Sequence, residues 1–134
     1  MFRMTLLALS LASLASCGGD TAADDYQAAV DQADAKQAEA ISLAPASPCN
    51  AVQQCGNLAF TIAQGHCSQA SYRPYSLVSA TADAASAAAA EQRALAAHAV
   101  AIAPPPPMSC TTVIAAPPTL ACVASTCQAV APAP

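Results

Sequence analysis

The sequence predicts an α+β fold, in which one long alanine-rich helix lies on one face of a small antiparallel sheet stabilised by disulfides. Three observations lead to this prediction. Large apolar and smaller side chains alternate around Phe60, as in a half-buried strand. An almost wholly helical composition extends from about Thr81 to Ile102. Six cysteines fall between Cys49 and Cys127.

The first 16 residues have the pattern of a signal peptide. Arg3 and the amino terminus supply positive charge, and Leu6 to Leu14 supply a short apolar stretch that ends in small residues. A helix that spans a bilayer needs ~20 apolar residues, so this stretch is too short to cross one. Residues 1–16 are therefore predicted to direct export and to be removed.

The residues that close this segment are Leu14-Ala15-Ser16-Cys17, which resemble the lipobox of bacterial lipoproteins. The resemblance implies cleavage before Cys17, a diacylglycerol on its sulfur and further fatty acylation, with palmitate as a typical chain. It implies a lipid anchor in the bacterial cell envelope, and Gly18 favours the outer membrane. The alternative is a secreted protein, cleaved after Ala15 or Ser16, that keeps Cys17 as a free or paired thiol.

Residues 17–48 are predicted to form an acidic, alanine-rich tether. They contain six of the eight acidic residues. Thr21-Ala-Ala-Asp24 fits a variant of the capping box and predicts a helix that ends near Ser42, before Pro45 and Pro48. The weak apolar stripe predicts that this helix packs little and holds the domain away from the membrane. An acidic helix that binds a partner is the alternative.

The cysteine-bearing domain, residues 49–130, begins with strand-forming sequence. Leu58, Phe60 and Ile62 predict a half-buried strand, which ends at Gln64-Gly65-His66. Tyr72 to Ser76 is predicted to be extended, because Pro74 disfavours helical dihedrals at the residue before it. The two tyrosines of this segment are expected to pack in the core and on the sheet.

The long helix is predicted from Ser79 or Thr81 to Ile102. Asp83 lies in its first turn, where a carboxylate meets the positive end of the helix dipole. Ala88, Leu95 and Ile102 recur every seven residues, with Ala84 and Ala99 beside them, and predict its buried side. Pro104 to Pro107 ends the helix because proline lacks the amide. A polyproline ligand for an aromatic groove is the alternative interpretation of this run.

The last part of the domain is predicted to form short antiparallel strands. These are Ser109 to Ala115, Leu120 to Val123 and Cys127 to Val130, separated by turn-forming residues. Residues 131–134 are a proline- and alanine-containing tail. The layout of one strand, one long helix and two or three strands is typical of an α+β fold.

Disulfides are expected because large apolar side chains are too few to stabilise the domain alone. With Cys17 lipidated, an even set remains. A bridge from Cys67 to Cys110 would bracket the long helix, and one from Cys122 to Cys127 would be local. Pairing Cys49 or Cys55 with the terminal pair would tie the first strand to the last, and the sequence leaves these choices open. The candidates are Cys49, Cys55, Cys67, Cys110, Cys122 and Cys127.

A second resemblance covers residues 49–127. Cys49-x5-Cys55-Gly56, Gly65-x-Cys67, Tyr-x-x-Tyr-Ser before an alanine-rich helix, Ser109-Cys110 and a final Cys-x4-Cys are similar to a pattern in small bacterial envelope proteins without an established activity. The resemblance supports a disulfide fold and adds no mechanism.

No catalytic residue, cofactor or metal is predicted. The candidate bases of the domain are His66 and His98, and its acids are Asp83 and Glu91. Glu91 and His98 could share a helix face, where a solvated pair is the expected arrangement. No CxxC pair or known catalytic motif occurs. The domain's two arginines balance its two acids, so a nucleic-acid partner is not expected.

Two functional hypotheses follow. In the first, the protein is a binding or inhibitory module displayed from the envelope, similar in logic to small periplasmic lipoproteins that block lysozymes or proteases. Its partner would be an envelope or extracellular protein. In the second, it is a structural or accessory envelope lipoprotein without a specific ligand.

Overall fold

The computed structural model describes residues 21–105, 109–111 and 115–131, and it has the predicted α+β architecture. Two antiparallel hairpins and two antiparallel helices make up the described part of the chain. The elements are α1 Thr21–Ser42, a 3₁₀ helix Val52–Gln54, β1 Cys55–Gln64, β2 Cys67–Ser76, α2 Ala82–Ile102, β3 Thr119–Val123 and β4 Thr126–Val130.

The sheet is divided into two hairpins, β1–β2 and β3–β4. The strand predicted at Leu58–Ile62 lies within ten-residue β1, and the extended segment around Pro74 belongs to its partner β2. The predicted strand Ser109–Ala115 is not a strand at its described residues 109–111 and 115, and its remaining residues lie outside the described part. The terminal hairpin contains both of the other predicted strands.

The core lies between the first hairpin and the helices. Leu58, Phe60 and Tyr75 are buried there against small side chains from α1, α2 and the residues after α1. Because alanine side chains are small, the helices can lie close to the hairpin. Three large side chains then fill much of the space between the helices and the hairpin. The alanines of this cluster are Ala40, Ala44, Ala82, Ala85, Ala88 and Ala89.

The prediction that the helix of the tether packs little is wrong. α1 has the predicted bounds, but it packs along α2, and Ala29, Ala33 and Ala40 are buried. Their spacing of four and seven residues places them on one face of the helix. Hydrophobic periodicity underestimates such a face, because alanine contributes little to an apolar stripe although it allows close helix packing.

The buried face of α2 also differs from the prediction. It is centred on Ala85, Gln92 and Ala99, which recur every seven residues, whereas the predicted Ala84 is exposed. Ala88 and Ala99 are buried as predicted, and the larger Leu95 and Ile102 are only half-buried. The closest contacts of α2 are therefore made by its smallest side chains and by one glutamine.

Gln92 fastens α2 to β1. Its side chain is only 1% exposed. Its amide nitrogen donates to the Thr61 carbonyl at 2.7 Å, and its amide oxygen accepts from the Thr61 N–H at 3.1 Å. Arg93 adds a hydrogen bond to the Ala59 carbonyl at 2.9 Å. The position of α2 relative to β1 is thus fixed by polar contacts as well as by packing.

The segment between α1 and the 3₁₀ helix connects the two hairpins. The Pro45 carbonyl accepts from the Ser76 N–H at 2.8 Å, at the end of β2, and the Ala46 carbonyl accepts from the Cys127 N–H at 2.8 Å, in β4. The buried Ser76 hydroxyl also donates to the Pro48 carbonyl. These bonds bring the end of β2 and the start of β4 to the same place.

Candidate functional site

The described cysteines form three disulfides: Cys49–Cys122, Cys55–Cys127 and Cys67–Cys110. The Cα atoms of the bonded residues are 6.0, 5.5 and 5.5 Å apart, which suits an unforced bridge. Of the alternatives that the sequence leaves open, the structure contains the bridge that brackets α2 and the two that tie the start of the domain to its last hairpin.

Two of these bridges lie side by side. The sulfur atoms of Cys49, Cys55 and Cys127 all lie within 4.8 Å of one another, although Cys49 belongs to a different bridge from the other two. The hydrogen bond from Cys127 to Ala46 and a second from the Cys49 N–H to the Ser125 carbonyl, at 3.1 Å, align the segment that carries Cys49 with β4. We call the part of the molecule around the Cys49–Cys122 and Cys55–Cys127 bridges the clamped end.

The third bridge lies at the opposite end of the first hairpin. Cys55 starts β1 and is paired in register with Ser76, whereas Cys67 starts β2 and is paired with Gln64. Ten-residue strands rise ~3.3 Å per residue, so about 30 Å of strand separates Cys55 from Cys67. The Cys67–Cys110 bridge therefore shares no sulfur contact with the clamped end.

The clamped end carries an exposed apolar surface. Val52, Leu77, Val78 and Val123 have the large apolar side chains expected in a core, but they are 45–52% exposed. Val52 lies in the 3₁₀ helix, which contacts the strand of Val123, and the Leu77 N–H donates to the Gln54 carbonyl at 2.8 Å. We call these four side chains the apolar patch.

Gly56 permits the position of one patch residue. A Cβ atom at Gly56 would lie 2.7 Å from Leu77 Cδ2 and 2.9 Å from Tyr75 Cε1, which is closer than side chains pack. The Leu77 side chain therefore lies directly over the backbone beside Cys55. This close approach gives a physical reason for a glycine after the cysteine.

An open groove of about 470 Å³ lies between the start of α1 and the end of α2. Asp25 and His98 both line it. A histidine and a carboxylate could serve as base and orienting acid in acyl transfer. That reaction also needs a nucleophile beside the base, and no serine, threonine or cysteine belongs to the described lining. The other lining residues are Ala22, Ala28, Ala29, Gln32 and Ile102.

The remaining catalytic candidates from the sequence make no described contact with one another. His66 lies in the β1–β2 turn, with its Nδ1 3.3 Å from the Val100 carbonyl. Glu91 forms an ion pair with Lys36 of α1 at 3.1 Å rather than with His98. Asp83 lies in the first turn of α2, as predicted. The structure therefore does not join Glu91 and His98 in one site.

Lys36 links the two helices electrostatically. Its Nζ lies 2.7 Å from a Glu39 carboxylate oxygen and 3.1 Å from a Glu91 carboxylate oxygen. Two hydrogen bonds raise the pKa of Lys36 above its ordinary value. The bond to Glu39 has the larger effect, and the bond to Glu91 the smaller. Both acids are largely exposed, so the ion pairs contribute little to stability.

The predicted lipidation site, Cys17, and the predicted signal peptide lie outside the described residues. Among the helices that are described, none is both long and apolar enough to span a bilayer.

Sequence reasoning missed the apolar patch and the buried polar residues Gln92 and Ser76. The patch has no sequence signal, because valine and leucine are ordinary core residues. Gln92 does have a sequence signal, since it is the polar member of an otherwise alanine series spaced by seven residues.

Neither a protein-family model nor a curated protein nor a solved structure matches the chain.

Proposed function

We propose that this protein is a lipid-anchored bacterial envelope protein whose disulfide-stabilised domain is a binding or inhibitory module. The apolar patch is the observation that carries this proposal. It consists of four half-exposed large apolar side chains on three chain segments whose backbones are neighbours, in a domain whose own core is built mostly from alanine. Exposed apolar side chains grouped in this way are typical of protein-binding surfaces.

The disulfides at the clamped end support a binding role. The bridges Cys49–Cys122 and Cys55–Cys127 join two of the three segments that carry the patch, those of Val52 and Val123, so little conformational entropy is lost there when a partner is bound. Rigid display of a few apolar side chains is an arrangement found in tight binding modules.

The anchor rests on the lipobox resemblance at Cys17. A lipid chain contributes roughly 0.8 kcal/mol for each buried methylene, so two or more chains hold a protein durably at a membrane. The domain would then meet partners in the envelope or outside the cell. No catalytic step is proposed.

A pull-down tests the binding role. The tagged protein, with α1 retained because it packs in the core, is exported to an oxidising compartment and incubated with membrane and periplasmic extract, and bound proteins are identified by mass spectrometry. We expect one stoichiometric protein partner, whose recovery falls when Val52→Ser and Val78→Ser are combined. Ile62→Ser is the matched control, because this exposed residue lies towards the other end of β1.

Enrichment of peptidoglycan or porins, with no effect of the patch substitutions, would favour the structural or accessory role instead. Failure to retain any partner would contradict the binding role.

Fractionation tests the anchor separately. The unaltered chain should remain with membranes after a high-salt wash and gain the mass of its lipid. The Cys17→Ser variant should be soluble and lack that mass. A Cys17→Ser protein that stays on washed membranes would contradict the lipid anchor.

A further inference from the structure

Four cysteines at the clamped end form a single sulfur cluster. Cys49 is bonded to Cys122, but its sulfur lies within 4.8 Å of both sulfurs of the neighbouring Cys55–Cys127 bridge. A thiolate released at Cys49 would therefore have a second disulfide within reach after a small side-chain movement. Thiol–disulfide exchange proceeds by such an attack of a thiolate on a disulfide sulfur.

The other two cysteines of the cluster are also neighbours. Cys122 and Cys127 are directly opposite each other in the β3–β4 hairpin. The Cys127 N–H is bonded to Ala46 and not to β3, so this is a non-hydrogen-bonded pair, whose Cα atoms lie ~4.5 Å apart. That separation falls within the range that a disulfide accepts.

We propose that Cys49, Cys55, Cys122 and Cys127 form a thiol–disulfide exchange site, which accepts an external thiolate and converts between two bridge pairings. One pairing is the one in the structure. The other joins Cys49 to Cys55 and Cys122 to Cys127. This inference is independent of the proposed binding function and of the lipid anchor.

The chemistry balances without net oxidation or reduction. An external thiolate attacks the Cys122 sulfur, forms a mixed disulfide with it and releases Cys49 as a thiolate. Cys49 attacks the Cys55 sulfur, so the Cys49–Cys55 bond forms and Cys127 leaves as a thiolate. Cys127 attacks the Cys122 sulfur, which forms the cross-strand bond and returns the external thiolate.

Exposure gives the order of these steps. Cys49 and Cys127 are only 1% and 3% exposed, whereas Cys122 and Cys55 are half-buried, and Cys122 precedes the exposed Val123. An external thiol therefore reaches the Cys122 sulfur more readily than the sulfur of Cys49. The buried cysteines then react inside the protein, where each thiolate meets the next disulfide before solvent.

The first test uses the full-length exported chain in a Cys17→Ser background, which removes the seventh cysteine. The protein is incubated with a trace of glutathione, acid-quenched and digested with pepsin at low pH, where thiols are protonated. Mass spectrometry should find both Cys49–Cys55 and Cys122–Cys127 linkages, with Cys67–Cys110 unchanged. Only the original linkages would overturn the proposal, as would new linkages that involve Cys67 or Cys110, because these indicate global unfolding.

The second test needs no added thiol. In Cys122→Ser, the thiol left on Cys49 should exchange with the neighbouring bridge, so iodoacetamide label is shared among Cys49, Cys55 and Cys127. In the matched control Cys110→Ser, the thiol left on Cys67 has no neighbouring bridge, and the label should stay on Cys67 alone. Label confined to Cys49 in the first variant would overturn the proposal.

Discussion

Gln92 is a buried polar residue in a helix that is otherwise almost entirely alanine on its packed face. Its amide group satisfies both backbone groups of Thr61. A hydrophobic residue of similar size could fill the space but would leave an N–H and a carbonyl without partners. The glutamine therefore contributes mainly because it keeps two buried backbone groups from being left unsatisfied. For a buried hydrogen bond, that avoided cost is larger than the net gain from forming the bond.

Gln92→Leu should lower the free energy of unfolding by about 2–6 kcal/mol, because two backbone groups lose their partner and each costs about 1–3 kcal/mol. Urea denaturation measures the change. Gln32→Leu, at an exposed position of α1, is the control and should have an effect within about 0.5 kcal/mol. Equal effects of the two substitutions would show that the Thr61 contacts contribute nothing.

The turn between β3 and β4 places two non-glycine residues in the left-handed region. Ala124 has φ of 48° and Ser125 has φ of 60°. A two-residue hairpin turn of this kind favours Asn-Gly, because side chains with a Cβ atom are strained there. The sequence predicts a turn between these two strands, and the structure has one, although it contains neither the asparagine nor the glycine that this turn favours.

Ser125→Gly should raise the free energy of unfolding by about 1 kcal/mol, since the left-handed conformation costs an L-residue about 1–2 kcal/mol and glycine's greater freedom in the unfolded chain offsets part of that gain. Thermal unfolding by circular dichroism measures it. Thr119→Gly, in the exposed start of β3, should instead lower stability. A decrease in Ser125→Gly would argue against strain at the turn.

At the scale of elements, the sequence predicts where helices and strands begin and end better than it predicts how they pack against one another. The bounds of both helices and the strand around Phe60 follow from caps, prolines and alternation, which are local signals. The contact between α1 and α2 does not, because its residues are alanines, whose small side chains produce no strong apolar stripe. The exposure of the patch residues cannot be predicted for the converse reason, since a large apolar side chain is an ordinary core residue and nothing in the sequence marks it as exposed.

Ala33→Leu should separate α1 from α2. Ala33 is 3% exposed, and overfilling a packed site of this kind costs about 1–3 kcal/mol. Hydrogen exchange should become faster across α1 while β1 and β2 keep their protection. Ala35→Leu, on the exposed side of the same helix, should leave exchange unchanged. If hydrogen exchange in α1 is equally slow in the two variants, the stability of α1 does not depend on the contact at Ala33.

At the scale of the whole molecule, disulfides compensate for a core with few large side chains. The sequence predicts that such bridges are needed but not which cysteines pair, because the pairing depends on how the last hairpin aligns with the segment before β1. That alignment is made by backbone hydrogen bonds of Ala46 and Cys49, which no side-chain pattern reports.

Removing the Cys67–Cys110 bridge by a double substitution to serine should lower the free energy of unfolding by up to about 4 kcal/mol, on the chain-entropy estimate for a separation of 43 residues. Denaturation of the oxidised variant measures this loss. Thiol titration should find the other two bridges intact. A stability equal to that of the unaltered chain would show that the bridge adds nothing to the packing and hydrogen bonds that hold α2.

The bonds that Gln92 and Arg93 make to β1 also protect the protein from self-association. A two-stranded hairpin has two open edges, where another chain can add a strand. The outward carbonyls of Ala59 and Thr61 are occupied by α2, and Pro74, at an outward position of β2, has no N–H to offer. Both edges of the first hairpin therefore resist edge-to-edge aggregation.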